Sequence, residues 1–405
     1  MVEPDMFFIP LVAVLAPLLA RGLSPWIRVP IVVFELVLGI LIGPDLLGWV
    51  QESVFVEHLA DFGLATLFFV AGSEINFAAI RGRPLVRASL GWLASLVVGL
   101  AVGVLIAPGE PAVIIAIALS STALGTLLPI LRDAGELHTP FGRAATAIGA
   151  VGEFGPLVAI SLFLGSRELG LSTVVLIGFI VLTGGAILIT MRVPHGRLHR
   201  FVRATLHTSG QFAVRVIVLI LALLVALSIL LDLDMLLGAF AAGVVWQLIM
   251  RNAPKADREQ VDSKVEAIAF GFLVPIFFVY TGVTFDLDAL LASPTALALL
   301  PLFFGLLLII RGGPSQLAVP PGASGRDRAA LALLSATGLP IIVAVTAIGV
   351  DEGILSPALA SALVGAGMLS VLVFPLVGMA LRAHSSTRRS VALDAPPAEP
   401  TQEEA

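Results

Sequence analysis

The stretch GRAATAIGAVGEFGPLVAISLFL, residues 142–164, decides how the chain is read, because it places Glu153 in the middle of an apolar run long enough to cross a bilayer. At the helical rise the carboxylate lies about 16 Å from either end of the run, near the midplane of a hydrocarbon core about 30 Å thick. A charge at that depth is costly, and by default it faces a protein-lined cavity on an ion or proton path. The rest of the chain is then whatever makes Glu153 tolerable.

Composition sets the class. Of 405 residues, 58% are hydrophobic and 13% charged, whereas soluble proteins have roughly 25% charged residues. With a mean hydropathy of +1.05 the chain is an integral membrane protein, at home in a lipid bilayer. Glycine (39) and proline (26) are plentiful, which suits closely packed and deliberately broken membrane helices. Cysteine is absent, which excludes disulfides and thiolate metal sites. The N-terminus, MVEPDMFF, lacks the basic region of a cleavable leader, so the first span is expected to remain. No cofactor, no nucleic-acid partner and no nucleotide-binding domain is expected.

Apolar runs of crossing length fall at about 6–23, 29–47, 58–75, 86–107, 111–131, 142–164, 171–190, 212–231, 236–250, 268–285, 294–313, 328–350 and 357–381. They predict an all-α polytopic protein of about 13 transmembrane helices. Basic residues crowd the loops after odd-numbered spans, among them Arg81, Arg83 and Arg87, then Arg192, Arg197, Arg200 and Arg203, then Arg251, Lys255, Arg258 and Lys264. Loops after even-numbered spans hold only Arg167. The bias places the C-terminus in the cytoplasm and the N-terminus outside, as for a cell-membrane protein. Residues 1–383 form the membrane domain, and the polar tail 384–405, with Arg388 and Arg389 as positive-inside charges, is expected to be disordered. His138, His195, His199 and His207 gather on the cytoplasmic side and are candidate pH sensors.

Two halves of the chain echo each other. LSSTAL at 119–124 matches LSATGL at 334–339, and the same offset carries Gly152 to Gly367 and Glu153 to Met368. LFFVAG (67–72) likewise resembles IFFVYTG (276–282). Copies that begin after an odd number of spans lie in opposite orientation, which is the inverted-repeat plan of secondary transporters. Ser120, Ser121, Thr122, Gly125 and Pro129 lie midway along the fifth span; Ser335, Thr337, Gly338 and Pro340 lie midway along the twelfth. Small, hydroxyl and proline residues there permit an unwound stretch, whose freed carbonyls and half-helix ends can meet an ion. The plainer reading of one such cluster is tight helix packing; two at equivalent repeat positions beside a carboxylate favour a site.

On these residues the chain resembles the monovalent cation:proton antiporters, in the branch of bacterial sodium/proton and potassium/proton exchangers. VPIVVFELVLGILIGPDLLG (29–48) follows a P-x-x-x-x-E-x-x-x-G-x-x-x-G-P pattern through Pro30, Glu35, Gly39, Gly43 and Pro44. LADFGLATLFFVAGSEINF (59–77), ALSSTALGTLLPILRD (118–133) and FFVYTGVTFDL (277–287) continue the resemblance in order over about residues 6–381. It implies a sodium/proton antiporter-like fold, with two broken helices crossing in a core domain that moves against a dimerising scaffold, and hence a homodimer. Two positions depart from the family: its Asp preceded by a polar residue is here Gly152 and Glu153, and its basic residue opposite the carboxylate maps to Arg311 in LLLIIRGGPSQL, a segment that reads on into a loop, with snorkelling to the cytoplasmic face as the alternative to a buried role.

The expected function is antiport of Na+ or K+ against H+, both ions using Glu153 in turn, with Arg311 as charge partner and Ser120, Ser121 and Thr122 supplying oxygens; Gly125, Ser335, Thr337, Gly338 and Pro340 shape the crossing. Glu35 reads as a hydrogen-bonding group within the scaffold in preference to a second ion site. Asp61, Glu74, Asp286 and Asp288 fall near span ends, where solvated faces are expected. A cation channel or a sodium-coupled organic-solute symporter of related fold is the alternative. An enzyme is not expected, since neither an H-E-x-x-H pair nor a G-x-S-x-G elbow is found.

Overall fold

A residue inside a bilayer has no water to bond, so backbone groups must be satisfied within helices wherever lipid is near. The computed structural model describes residues 5–24, 29–51, 53–75, 80–164, 169–192 and 211–393, and no strand occurs among them. The helices are α1 (Asp5–Leu23), α2 (Ile31–Ile42), α3 (Val54–Glu74), α4 (Arg83–Ile106), α5 (Glu110–Ser120), α6 (Leu124–Asp133), α7 (Pro140–Phe163) and α8 (Leu169–Arg192). The second half contributes α9 (Phe212–Leu230), α10 (Met235–Ile249), α11 (Lys255–Ile268), α12 (Val274–Val283), α13 (Leu287–Ala292), α14 (Pro294–Leu306), α15 (Gly325–Ser335), α16 (Pro340–Asp351) and α17 (Pro357–Leu393). Among the described residues nine stretches are long and apolar enough to cross a membrane, and four shorter apolar helices, including Ile31–Ile42 and Met235–Ile249, occupy the remaining expected places.

Three boundaries differ from the sequence reading. The tenth span begins at Lys255, because α11 buries Val261 and Val265 despite its charged face and joins α12 through a π-helical turn, Ala269–Leu273. The eleventh does not end in a loop: α14 continues as π-helix Leu307–Gly312 and 3-10 helix Pro314–Ala318, which keeps Arg311 inside the span. Finally, α17 runs on to Leu393, past the boundary at 383 where the tail was expected to lose structure. Residues 394–405 lie outside the described residues, as do Arg167, Arg197, Arg200, Arg203, His195, His199 and His207.

The helices pack in two groups. One contains α1, α2, α3 and α9 to α12; the other contains α4 to α7 and α14 to α17. Within the first, Gly39 of α2 and Gly282 of α12 let two backbones meet, each α-carbon lying 2.9 Å from where the other would carry a β-carbon. Between the groups, Phe154 of α7 and Phe240 of α10 meet with ring centroids 5.5 Å apart and planes tilted by 31°.

The second group contains both interrupted helices, α5/α6 and α15/α16. Each breaks where the sequence clusters Ser, Thr, Gly and Pro, and the two breaks cross in contact: Ala123 N–H donates to the Thr337 carbonyl at 2.7 Å, and Thr122 Oγ1 donates to the Ser335 carbonyl at 2.6 Å. Ile114, near the start of α5, packs on Gly349, near the end of α16. The two broken helices therefore run in opposite directions, as an inverted repeat requires.

The crossing leaves no room for a side chain at Gly338, where a β-carbon would stand 2.7 Å from Ser121 Oγ and 3.0 Å from the Ser121 carbonyl oxygen. Gly338→Ala should destabilise the purified protein by about 1–3 kcal/mol, the usual cost of overpacking, seen as a lowered melting temperature. Gly305→Ala, in α14 with nothing within 4 Å of the new carbon, should not lower it.

Candidate functional site

A broken helix exposes free N–H groups at one new end and free carbonyls at the other. At the first break the N–H groups from Ser121 to Leu124 are all engaged. Ser121 donates back to Ala118 at 3.3 Å, Thr122 to the Gly152 carbonyl at 2.9 Å, Ala123 to Thr337, and Leu124, the first residue of α6, to Glu153 Oε2 at 3.0 Å. Glu153 thus lies, 1% exposed, against the positive end of a half-helix, where a carboxylate is electrostatically favoured.

The repeat position of Glu153 is Met368, and there the second break is served differently. Gly338 N–H donates to Ser370 Oγ at 3.3 Å, and that hydroxyl donates to the Gly367 carbonyl at 2.7 Å. One break holds a carboxylate; the other holds a neutral hydroxyl.

The free carbonyls explain the hydroxyl residues. Ser120 Oγ donates to the Ile117 carbonyl at 3.1 Å and Ser121 Oγ to Ala118 at 2.8 Å; in the second break Ser335 Oγ and Thr337 Oγ1 donate to Ala332 and Leu333 at 2.8 and 3.3 Å. Hydroxyls at the end of a half-helix satisfy its own last-turn carbonyls. Ser120 and Ser121 are turned back on α5 and do not line the cavity that contains Glu153, contrary to the expectation that they offer oxygens beside it.

Arg311 is fully buried, the first of the two placements the sequence left open, but its bonds are not the expected ones. Its Nε donates to Thr122 Oγ1 at 2.7 Å and its Nη2 to the Ile148 carbonyl at 2.8 Å, and it forms no ion pair with Glu153. Through Thr122 the guanidinium acts on the Ser335 carbonyl, the negative end of α15. Each buried charge is offset by a half-helix end of opposite sign. The departure at Gly152 follows: a β-carbon there would stand 2.6 Å from Thr122 Oγ1 and would also meet Arg311 Nη2, so glycine is what admits the guanidinium.

The Glu153 carboxylate borders a cavity of about 170 Å³ between the two helix groups. The second group supplies Gly125, Thr126, Glu153 and Pro340; the first supplies Ile31, Val32, Glu35, Leu67, Phe278 and neighbours. Thr126, whose hydroxyl donates to the Ala123 carbonyl at 2.9 Å, is the cavity hydroxyl that the sequence reading missed. It falls one turn beyond the broken segment, and only the helical phase of α6 reveals it. Among the described residues Glu35 has no hydrogen-bond partner within the scaffold, contrary to expectation. Asp286 instead caps α13 at Ala289 N–H, at 2.7 Å, and Glu74 pairs with Arg132 at 3.3 Å. His138 is exposed.

One further cluster had no local signal. Arg382, near the end of the membrane-spanning part of α17, clasps Glu136 with two bonds of 2.8 and 3.0 Å and Asp327 with one of 2.6 Å, its guanidinium 4.7 Å from the Phe141 ring centre. It joins the α6–α7 turn, the start of α15 and α17, fastening the crossing-helix group at one end.

Opposed broken helices that cross at mid-span, with a buried carboxylate and a buried guanidinium at the crossing, define a polytopic membrane protein of the inverted-repeat class. Residues 11–381 match the family described as "Sodium/hydrogen exchanger, transmembrane", and the chain belongs to that family. Over 301 residues it is 30% identical to the Na(+)/H(+)-K(+) antiporter GerN of Bacillus cereus, covering 70% of this chain and 73% of that protein. It is 25% identical to YjbQ of Bacillus subtilis over 389 residues, 90% of this chain, yet it spans only 61% of that protein's length. The solved structure of the sodium proton antiporter MjNhaP1 from Methanocaldococcus jannaschii at pH 8 superposes with a TM-score of 0.65 at 16% identity, covering 96% of this chain and 98% of that one, which shows a shared fold.

Thr122 is the joint between Arg311 and the second broken helix. Thr122→Val keeps the shape but strips the hydroxyl, leaving two buried partners unmet, and should cost about 1–3 kcal/mol in thermal or denaturant unfolding. Thr122→Ser, which keeps the hydroxyl, should lose markedly less.

Proposed function

We propose that the chain is a secondary active antiporter that exchanges a monovalent cation, Na+ or K+, for H+ by alternating access, the two ions competing for the Glu153 carboxylate. The observation that carries this reading is the placement of that carboxylate, at the start of α6 and on the wall of a cavity between two helix groups. The name of one relative, the Na(+)/H(+)-K(+) antiporter GerN, agrees with it.

The steps follow from the charges. In the open cavity a cation meets the Glu153 oxygens, with the free lone pairs of the Thr126 hydroxyl beside them. Binding of the cation releases the proton, because a carboxylate engaged by one is a poor site for the other. Loaded with either, the carboxylate is locally neutral and can pass the apolar wall of the first group. Empty and ionised it is costly to move, which suppresses leak. Arg311 travels with the second group and stays bonded to Thr122, so it sets the field at the crossing without being displaced by the cargo.

The cavity reaches from the crossing to Ile31, where α2 begins, the end that the basic loops mark as cytoplasmic. On this proposal the form described is inward-open in the cell membrane, with the N-terminus outside. The first group is the stationary scaffold and, by the family resemblance, the face through which a homodimer forms.

In proteoliposomes with an internal pH dye, the parent should move protons against Na+ or K+ gradients, and Glu153→Gln should reduce that flux by at least about a hundredfold while folding normally. One carboxylate per cycle also makes exchange one proton per cation, so clamping the membrane potential should leave the rate unchanged. Exchange by Glu153→Gln at the parental rate contradicts the proposal.

A further inference from the structure

Four carboxylates are buried among the described residues: Glu35, Glu136, Glu153 and Asp327. Three have partners. Glu136 and Asp327 share Arg382, and Glu153 has the Leu124 N–H. Glu35, 5% exposed, makes no hydrogen bond or ion pair, although it sits one turn into α2 with its side chain on the same cavity as Glu153. An acid held in an apolar wall without a partner is costly unless something that enters the cavity answers it.

The two acids belong to opposite walls. Glu153 is on α7, in the crossing-helix group; Glu35 is on α2, which packs with α1 and α12 in the other. Glu35 lies one turn from the start of α2, on the wall of the cavity that faces the crossing-helix group. Carboxylate oxygens suit a hard alkali cation, and two of them around one small cavity form a stronger site than either alone.

We infer that Glu35 is a second cation-binding carboxylate, one that contacts the transported ion only while the cavity is open on the face where α2 begins. The inference rests on the exchange reading and deepens it. When the crossing-helix group moves, Glu153 goes with it and Glu35 remains behind. The cation therefore has two carboxylates on one side of the membrane and one on the other. A ligand contact present in one conformation favours that conformation when the ion is bound, so the exchanger is built with unequal affinities on its two faces. Because Glu35 does not travel, the charge carried per cycle is unchanged.

The test is sidedness. In right-side-out and everted vesicles from the same cells, the apparent KM for Na+ and for K+ is measured on each face for the parent, Glu35→Gln and Glu35→Asp. Glu35→Gln should raise KM about tenfold on the face where α2 begins, the scale of losing one charged ligand in a partly solvated cavity. KM on the opposite face should stay at the parental value, and Glu35→Asp should fall between. An unchanged KM on both faces, or an equal rise on both as a purely structural defect would give, overturns the inference. Should Glu35→Gln fail to reach the membrane, Glu35→Asp carries the same one-sided expectation. Glu153→Gln is assayed in parallel: if it still exchanges, the exchange reading fails. Equilibrium binding of radioactive sodium to detergent-purified parent and Glu35→Gln then decides Glu35 by itself, weaker binding supporting the inference and equal binding overturning it.

Discussion

Lipid cannot bond a free backbone group, and this protein interrupts two helices in the middle of a membrane. Everything at the crossing answers that constraint. The N–H of Leu124, freed where α6 begins, is held by the Glu153 carboxylate. The carbonyls freed at the ends of α5 and α15 are taken by Ser120, Ser121, Ser335, Thr337 and, across the gap, Thr122. Arg311 backs the carbonyl ends as Glu153 backs the amide end. The ionisable pair is thus stabilised by helix termini, and Glu153 is left with oxygens directed at a cavity.

Repetition supplies the frame and its breaking supplies the chemistry. In both interrupted helices a serine, Ser120 or Ser335, bonds back to its own last turn, while Thr122 reaches across to the Ser335 carbonyl and its counterpart Thr337 stays on its own helix. The neighbouring helix of each has an engaged glycine carbonyl, Gly152 or Gly367. Only the first has an acid at the next position; the second has Met368 and relies on Ser370. One buried carboxylate at the crossing is the result. The Arg382 clasp on Glu136 and Asp327 holds the helix group together at the end nearest the basic loops, consistent with a body that moves as a unit.

Much of this was legible in the amino-acid sequence. The spans follow from hydropathy, the breaks from LSSTAL and LSATGL, and the central acid from its depth in residues 142–164. Burial of Arg311 was left open: the family position pointed inward, while the GGPSQLAVPPGASG that follows read as a loop from which the side chain could snorkel to the cytoplasmic face. What the sequence hides is direction. Nothing in it distinguishes a serine that bonds its own helix from one that faces an ion, so Ser120 and Ser121 read as ligands and Thr126 did not. Nor does it show whether an arginine reaches a carboxylate or a helix end: the glycine at 152 looked like a lost partner, and it is the space Arg311 fills. Glu35 read as a scaffold hydrogen-bonder because α2 belongs to the scaffold, and only the cavity shows that it has no bond to make there. The Arg382 cluster joins residues from three distant segments and has no local pattern at all.

The central claim is that a proton and a cation exclude each other at Glu153. The most direct measurement is proton release by the purified protein in weakly buffered detergent as Na+ or K+ is added, read with a pH indicator alongside the amount of cation bound. The account predicts protons released in proportion to cation bound, approaching one for one where the site begins protonated, and none from Glu153→Gln. Cation binding that releases no protons would contradict it.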